Sequence, residues 1–261
     1  MKQLHYNNKL ANILTITSVW FCLSLSGCVT TTTGGFQKDT ARLISVSVQA
    51  SLEYLKNGDV ESAHRHLQTA LGADRKSPEA HNALALLFQY EGDADLAEKH
   101  FKLALKYSDD TARILNNYGS LLFSQRRYEE SLKYLEQAAL DTQYERRYLV
   151  YDNIGRCALQ LKDLSKAEMA FRKALRLKAK SLRPLIELAQ ISFEKQDYNL
   201  TSNYLTQYNK LTRGSARSLW LGIRLERIQG DQNALASYVL ALKNLFPKSL
   251  EYERYKESLV K

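Results

Sequence analysis

The sequence predicts an all-α protein, a solenoid of about six helix-turn-helix repeats, on three observations. Apolar residues recur at helical spacing from Ala41 almost to the C-terminus. Breakers are few, with three prolines and eleven glycines in 261 residues, and no strand is evident. A pattern of small and bulky residues then returns with a period of about 34 residues.

The period is clearest in GDVESAHRHLQTAL (Gly58 to Leu71) and GDADLAEKHFKLAL (Gly92 to Leu105), offset by 34. RRYEESLKYLEQAAL, KDLSKAEMAFRKAL and QDYNLTSNYLTQY follow, and last GDQNALASYVLAL, where the small residue arrives one position early. Small residues recur at Ala63, Ala97, Ser131, Ala167, Thr201 and Ala234, each twelve after another small one at Ser51, Ala85, Gly119, Gly155, Ala189 and Gly222. A bulky residue follows the small residue of each second helix by four: Leu67, Phe101, Leu135, Phe171, Leu205 and Tyr238. Two antiparallel helices approach closely only where the facing residues are small, and a bulky side chain fills the space beside them.

This arrangement resembles the tetratricopeptide repeat, which implies a right-handed superhelical stack. The repeats fall near 44–77, 78–111, 112–145, 148–181, 182–214 and 215–248, the first and last being the least typical, as end-capping repeats are. Ser77-Pro78 reads as a cap and first helical residue, Pro184 falls in a first turn, and Pro247 follows the last helix. Spacing stretches to 36 between Ser131 and Ala167, so two residues are inserted around 141–147, a candidate hinge between two halves.

Ahead of the repeats, residues 1–27 have the layout of a secretory signal. Lys2 and Lys9 precede an apolar run from Ile13 to Leu25, and no acid occurs before Asp39. The run is about 13 residues, against roughly 20 for a spanning helix. Leu25-Ser26-Gly27-Cys28 resembles the bacterial lipobox, which implies cleavage between Gly27 and Cys28 and acylation of Cys28. Val29 stands where retention in the inner membrane usually requires Asp, so the implied address is the periplasmic face of the outer membrane. Residues 28–40 then read as a lipidated cysteine and flexible tether, and 41–261 as the solenoid.

The composition is that of a globular protein, 44% hydrophobic and 25% charged, with a net charge of +9 that favours anionic partners. Removing the signal takes two lysines and leaves about +7 by the same count. Cys157 alone lies in the body, which rules out an intramolecular disulfide there and reads as a small packed residue. His64 and His66 are two apart on one helix, while His81 and His100 belong to different helices, so no metal-ligand spacing emerges. With no nucleophile elbow and no acid–base constellation, the reading is a non-enzymatic protein without cofactor or small-molecule substrate. Export argues against nucleic acid as a partner.

A partner-binding groove is placed on the first helix of each repeat. In the front half it takes in Val48, Leu52, Leu55, Asn82, Leu86, Tyr90, Asn116 and Phe123, apolar anchors with two amides able to hold a peptide backbone. Val48, Leu52 and Ala83 stand where a carboxylate clamp would need polar residues, which argues against capture of a chain terminus.

The segments ARILNNYGSLLFSQRRYEESLKYLEQAALDTQYERR (Ala112 to Arg147) and ARSLWLGIRLERIQGDQNALASYVLALKNLFPKSLEY (Ala216 to Tyr252), together with the lipobox, resemble the type IV pilus biogenesis and stability lipoproteins, the pilotin family. The resemblance implies six repeats on an outer-membrane lipid anchor. It also implies binding of the pilus secretin, whose localisation and multimerisation the pilotin promotes. A scaffold in outer-membrane β-barrel protein assembly would share the lipobox and the repeats.

Overall fold

The computed structural model describes residues 33–260, and thirteen helices account for most of them. They are α1 (Thr33–Lys56), α2 (Val60–Ala73), α3 (Pro78–Glu91), α4 (Ala94–Tyr107), α5 (Ala112–Ser124), α6 (Tyr128–Leu140), α7 (Arg147–Gln160), α8 (Leu164–Leu177), α9 (Leu182–Glu194), α10 (Tyr198–Leu211), α11 (Ala216–Gln229), α12 (Gln232–Leu245) and α13 (Leu250–Glu257). Six consecutive pairs, α1·α2 through α11·α12, pack as repeats, and each second helix rests against the first helix of the next repeat. First helices also meet one another, α1 with α3, α3 with α5, α5 with α7 and α9 with α11. They therefore line the inner side of the stack, and the second helices form its outer side.

Within a pair, the small residue of the first helix sets the distance. An ideal Cβ added at Gly155 would stand 2.5 Å from Phe171 Cε1, and one at Gly119 would stand 2.7 Å from Leu135 Cγ. At Gly222 the same Cβ would meet Tyr238 at 2.7 Å. Leu67, Phe101, Leu135, Phe171 and Leu205 are all buried, each contributing roughly 2–3 kcal/mol of apolar transfer. Cys157 is packed in the same way, with its sulfur 3.2 Å from the Ser131 hydroxyl, and burial pushes its thiol pKa up.

The turns repeat as faithfully as the core. Between first and second helix the chain passes through the left-handed region at Gly58, Gly92, Arg126, Lys162, Gln196 and Gly230. The next residue is an aspartate in five of the six turns, and Asp59, Asp93, Asp163, Asp197 and Asp231 each cap the second helix by accepting from a first-turn N–H. Arg127 breaks the series. Its guanidinium reaches Glu130 and also Glu98 of the preceding repeat. Burial pushes the Glu98 carboxyl up, but hydrogen bonds from Arg127, Lys102 and Tyr118 outweigh it and hold its pKa at about 2.

Three features differ from the sequence expectation. Helix α1 begins at Thr33, so the latter part of the stretch expected as a tether is helical. Once Ile44 and Val48 fix α1 against α2, adding upstream turns is cheaper than nucleating a helix anew. The remainder of that stretch, with the signal segment, Gly27 and Cys28, lies outside the described residues. The inserted residues near 141–147 form no loose joint, because Tyr144 tucks its ring against the cluster of Leu115, Leu135 and Val150. Beyond Pro247, α13 lays Tyr252 and Tyr255 over Leu219, Ile223 and Leu242, covering part of the open end of the stack. Among the described residues no helix is long and apolar enough to cross a membrane.

Gly155→Ala is expected to destabilise by about 2 kcal/mol, since the added carbon collides with a buried ring. Gly72→Ala, inside α2 with nothing within 4 Å of the added carbon, is expected to stabilise by about 0.5–1 kcal/mol. Urea-unfolding midpoints moving in opposite directions would bear this out.

Candidate functional site

The inner helices of the first three repeats, with the loops that precede α5 and α7, enclose an open groove of about 1100 Å³. Leu52 of α1, Leu86 of α3 and Leu149 of α7 supply apolar surface, and Tyr144 stands in its wall. Asp109, Asp110, Asp141 and Glu145 are set against Arg113 and Arg146 around it. The two-residue insertion thus becomes part of the groove.

The eight residues placed in the groove from sequence divide by position. Leu52, Asn82, Leu86 and Asn116 line it. Val48 and Leu55 turn instead into the cluster of Leu67, Leu84 and Leu87, between the first two repeats. Tyr90 is 59% exposed but lies outside the groove, beside the Gly58 turn. Phe123 packs at the edge of the core, with the Arg156 guanidinium 4.1 Å above its ring. A first helix presents one apolar arc to three neighbours: its own partner, the next repeat and the groove. Periodicity finds the arc without dividing it.

The two amides also have a different task from the one expected. Asn82 and Asn116 are buried, and their carbonyl oxygens accept from the next repeat, Asn82 from Asn117 at 3.1 Å and Asn116 from Asn153 at 3.1 Å. Asn153 also donates to Ser120 at 3.2 Å. The result is a ladder of side-chain amides along the floor, joining repeats 2, 3 and 4. Its readable signal is that Asn82 and Asn116 share one repeat position, while Asn117 and Asn153 share the next. The ladder stops where Asp152 takes the first position and Glu187 the second, two carboxylates that cannot bond without a proton. Arg183 donates to Asp152 at 2.8 Å and Arg217 to Glu187 at 2.7 and 2.8 Å. Burial raises the Asp152 pKa, and its other oxygen has no hydrogen-bond partner among the described residues.

His81 and His100 prove to be neighbours despite their different helices. Their Nδ1 atoms are 3.1 Å apart, the other His81 nitrogen is 3.1 Å from the Arg75 carbonyl, and Phe88 stacks on His100. Burial, then the charges of His81, Lys99 and His64, bring the His100 pKa down to about 4. An antiparallel pair brings together residues that linear spacing keeps apart. Among the described residues no group of three or more His, Cys, Asp or Glu converges as a metal site.

The helix pairs, their repeated turns and the inner groove define a tetratricopeptide-repeat protein, and models of that repeat match residues 48–89, 78–111 and 110–180. The chain belongs, more narrowly, to the PilF family. It is 38% identical to the type IV pilus assembly protein PilF of Pseudomonas aeruginosa over 240 residues, 89% of this chain and 94% of that one. The solved structure of Pseudomonas aeruginosa PilF superposes with a TM-score of 0.80 at 37% identity, covering 84% of this chain and 99% of that one. The crystal structure of PilW, a widely conserved type IV pilus biogenesis factor, gives a TM-score of 0.70 at 27% identity, covering 81% and 97%.

Asn153→Leu would leave the Asn116 oxygen buried and unbonded, and is expected to cost about 1–3 kcal/mol. Asn209→Leu, outside the ladder, serves as comparison, and hydrogen exchange should rise in α5 and α7 of the ladder variant alone.

Proposed function

We propose that this protein is a pilotin of type IV pilus biogenesis. In this reading it is a lipoprotein scaffold, acylated on Cys28 and held at the periplasmic face of the outer membrane. It binds the pilus secretin and promotes that ring's outer-membrane localisation and multimerisation. The observation that carries the reading is the likeness to PilF across nearly the whole of both chains. The chemistry of the groove supports it, since binding a protein segment needs surface and shape and no catalytic group.

A secretin segment would set apolar side chains against Leu52 and Leu86, with polar groups meeting the charged rim. Acyl chains on Cys28 would keep the scaffold on the membrane, two or three chains anchoring stably where one would not. Confining scaffold and cargo to one surface raises their effective concentration and favours encounter between secretin subunits.

Two substitutions separate the parts of this mechanism. Cys28→Ala is expected to leave a folded protein while secretin multimers decline in the outer membrane, read by membrane fractionation and immunoblotting; unchanged multimers would refute the anchoring step. Leu52→Asp with Leu86→Asp is expected to weaken recovery of the secretin with this protein from detergent-solubilised membranes by about tenfold or more, equivalent to two lost apolar anchors. Intact helicity with undiminished recovery would move the binding site elsewhere. Recovery of a β-barrel assembly complex in place of the secretin would replace the pilotin reading.

A further inference from the structure

Charge is not spread evenly along the stack. Residues 44–111, the first two repeats, carry seven basic and eleven acidic side chains, whereas residues 148–181, the fourth repeat, carry eight basic and three acidic. The excess narrows further to α8 and its flanks, where 162–180 holds seven basic residues and only two acids, Asp163 and Glu168.

Helical geometry arranges this excess. Lys166, Met169, Lys173 and Arg176 follow one another at three- and four-residue steps, which puts them on one line about 15 Å long. Lys162 and Lys180 lie just beyond its ends. Neither acid neutralises the line. Asp163 is engaged as the cap of α8, accepting from the Lys166 N–H, and Glu168 is tied to Arg172 and Lys195. Lys166 meets Glu136 at 3.0 Å, a half-exposed pair that a competing anion can displace. Lys173 sits over the Tyr151 ring at 5.2 Å, and neither it nor Arg176 has an ion-pair partner among the described residues.

Apolar surface accompanies these cations. Met169 is 58% exposed within the line and Leu140 79% exposed beside it. Between α6, α7 and α8 lies a shallow cleft of about 290 Å³, with Ile154, Ala170 and Tyr151 among the residues that line it. As a second helix, α8 stands on the outer side of the solenoid, facing away from the groove.

We propose that the α8 ridge is a docking surface for anionic phospholipids, its cations meeting headgroup phosphates while Met169 and Leu140 enter the acyl boundary. Charge complementarity and shape both select this occupant. A protruding line of cations with apolar tips matches a flat layer of phosphates over hydrocarbon, and each basic residue adds to the attraction. A peptide segment held by several anchors requires a recess like the 1100 Å³ inner groove, whereas the cleft that Lys166, Met169 and Lys173 help to line is shallow and about a quarter of that volume. Docked this way, the outer side of the fourth repeat lies on the lipid and the groove opens toward the aqueous phase. The ridge would act independently of acylation at Cys28, as a second membrane contact that orients the body.

The test uses residues 28–261 with Cys28→Ala, which carry neither the signal nor an acyl chain. Among the described residues all buried clusters lie between Ile44 and Tyr255, and this chain contains every one of them. Cosedimentation with phosphatidylcholine vesicles, with and without about one-third phosphatidylglycerol, is compared at low and high salt. Binding is expected on the anionic vesicles only, weakened about tenfold or more by salt or by Lys166→Glu, Lys173→Glu and Arg176→Glu together. Reversing Lys243, Lys248 and Arg254 to Glu changes net charge equally and is expected to leave binding nearly intact. Circular dichroism checks each fold, and Lys173→Gln with Arg176→Gln serves if the triple variant unfolds. Absence of a preference for anionic vesicles, equal loss in both charge-reversed variants, or a ridge variant that binds unchanged would each overturn the proposal. So would ridge-dependent binding to polyglutamate without binding to vesicles. Because the chain tested has no anchor and the assay no secretin, failure here leaves the pilotin reading standing, and failure of that reading leaves this result intact.

Discussion

Everything in this solenoid depends on how closely two helices of a pair can approach. Where Gly155 faces Phe171, the ring occupies the volume of an absent side chain, and Gly119 with Leu135 and Gly222 with Tyr238 repeat the arrangement. That contact fixes the spacing of each pair and the direction in which the next pair can add. It also fixes the part of each first helix left over to form the groove. Interiors are packed too densely for such a contact to be loosened locally without moving its neighbours. The shape of the binding surface is therefore a consequence of residues that never touch it.

Two kinds of polar device keep this apolar stack in register. The left-handed turn followed by a capping aspartate starts every second helix at the same point, except in the third repeat, where Arg127 gives up the cap for ion pairs with Glu98 and Glu130. Along the inner side the amide ladder from Asn82 to Asn153 joins neighbouring repeats across the groove floor. It ends at Asp152 and Glu187, and arginines from the following repeats take over. The front of the groove is thus built on amides and the back on ion pairs, giving one scaffold two chemical surfaces. The same division appears in the net charge, acidic over the first two repeats and strongly basic over the fourth.

The sequence by itself determined the repeat, its period, the number of copies and the residues that pack within each pair. These are local in the chain: a small residue and its bulky partner are about 16 residues apart, and helical periodicity carries one to the other. Leu52 and Leu86 were legible as groove residues for the same reason, since inner-helix position follows from the register. Tertiary structure alone decided how each apolar arc is divided, sending Val48 and Leu55 into the core and leaving Tyr90 outside the groove. It also turned Asn82 and Asn116 from binding groups into links between repeats, joined His81 to His100, and folded the insertion at Tyr144 into the groove wall. Each of these depends on distances between separate helices, and those distances are set by the packed pairs as a whole, not by the spacing of residues along one helix.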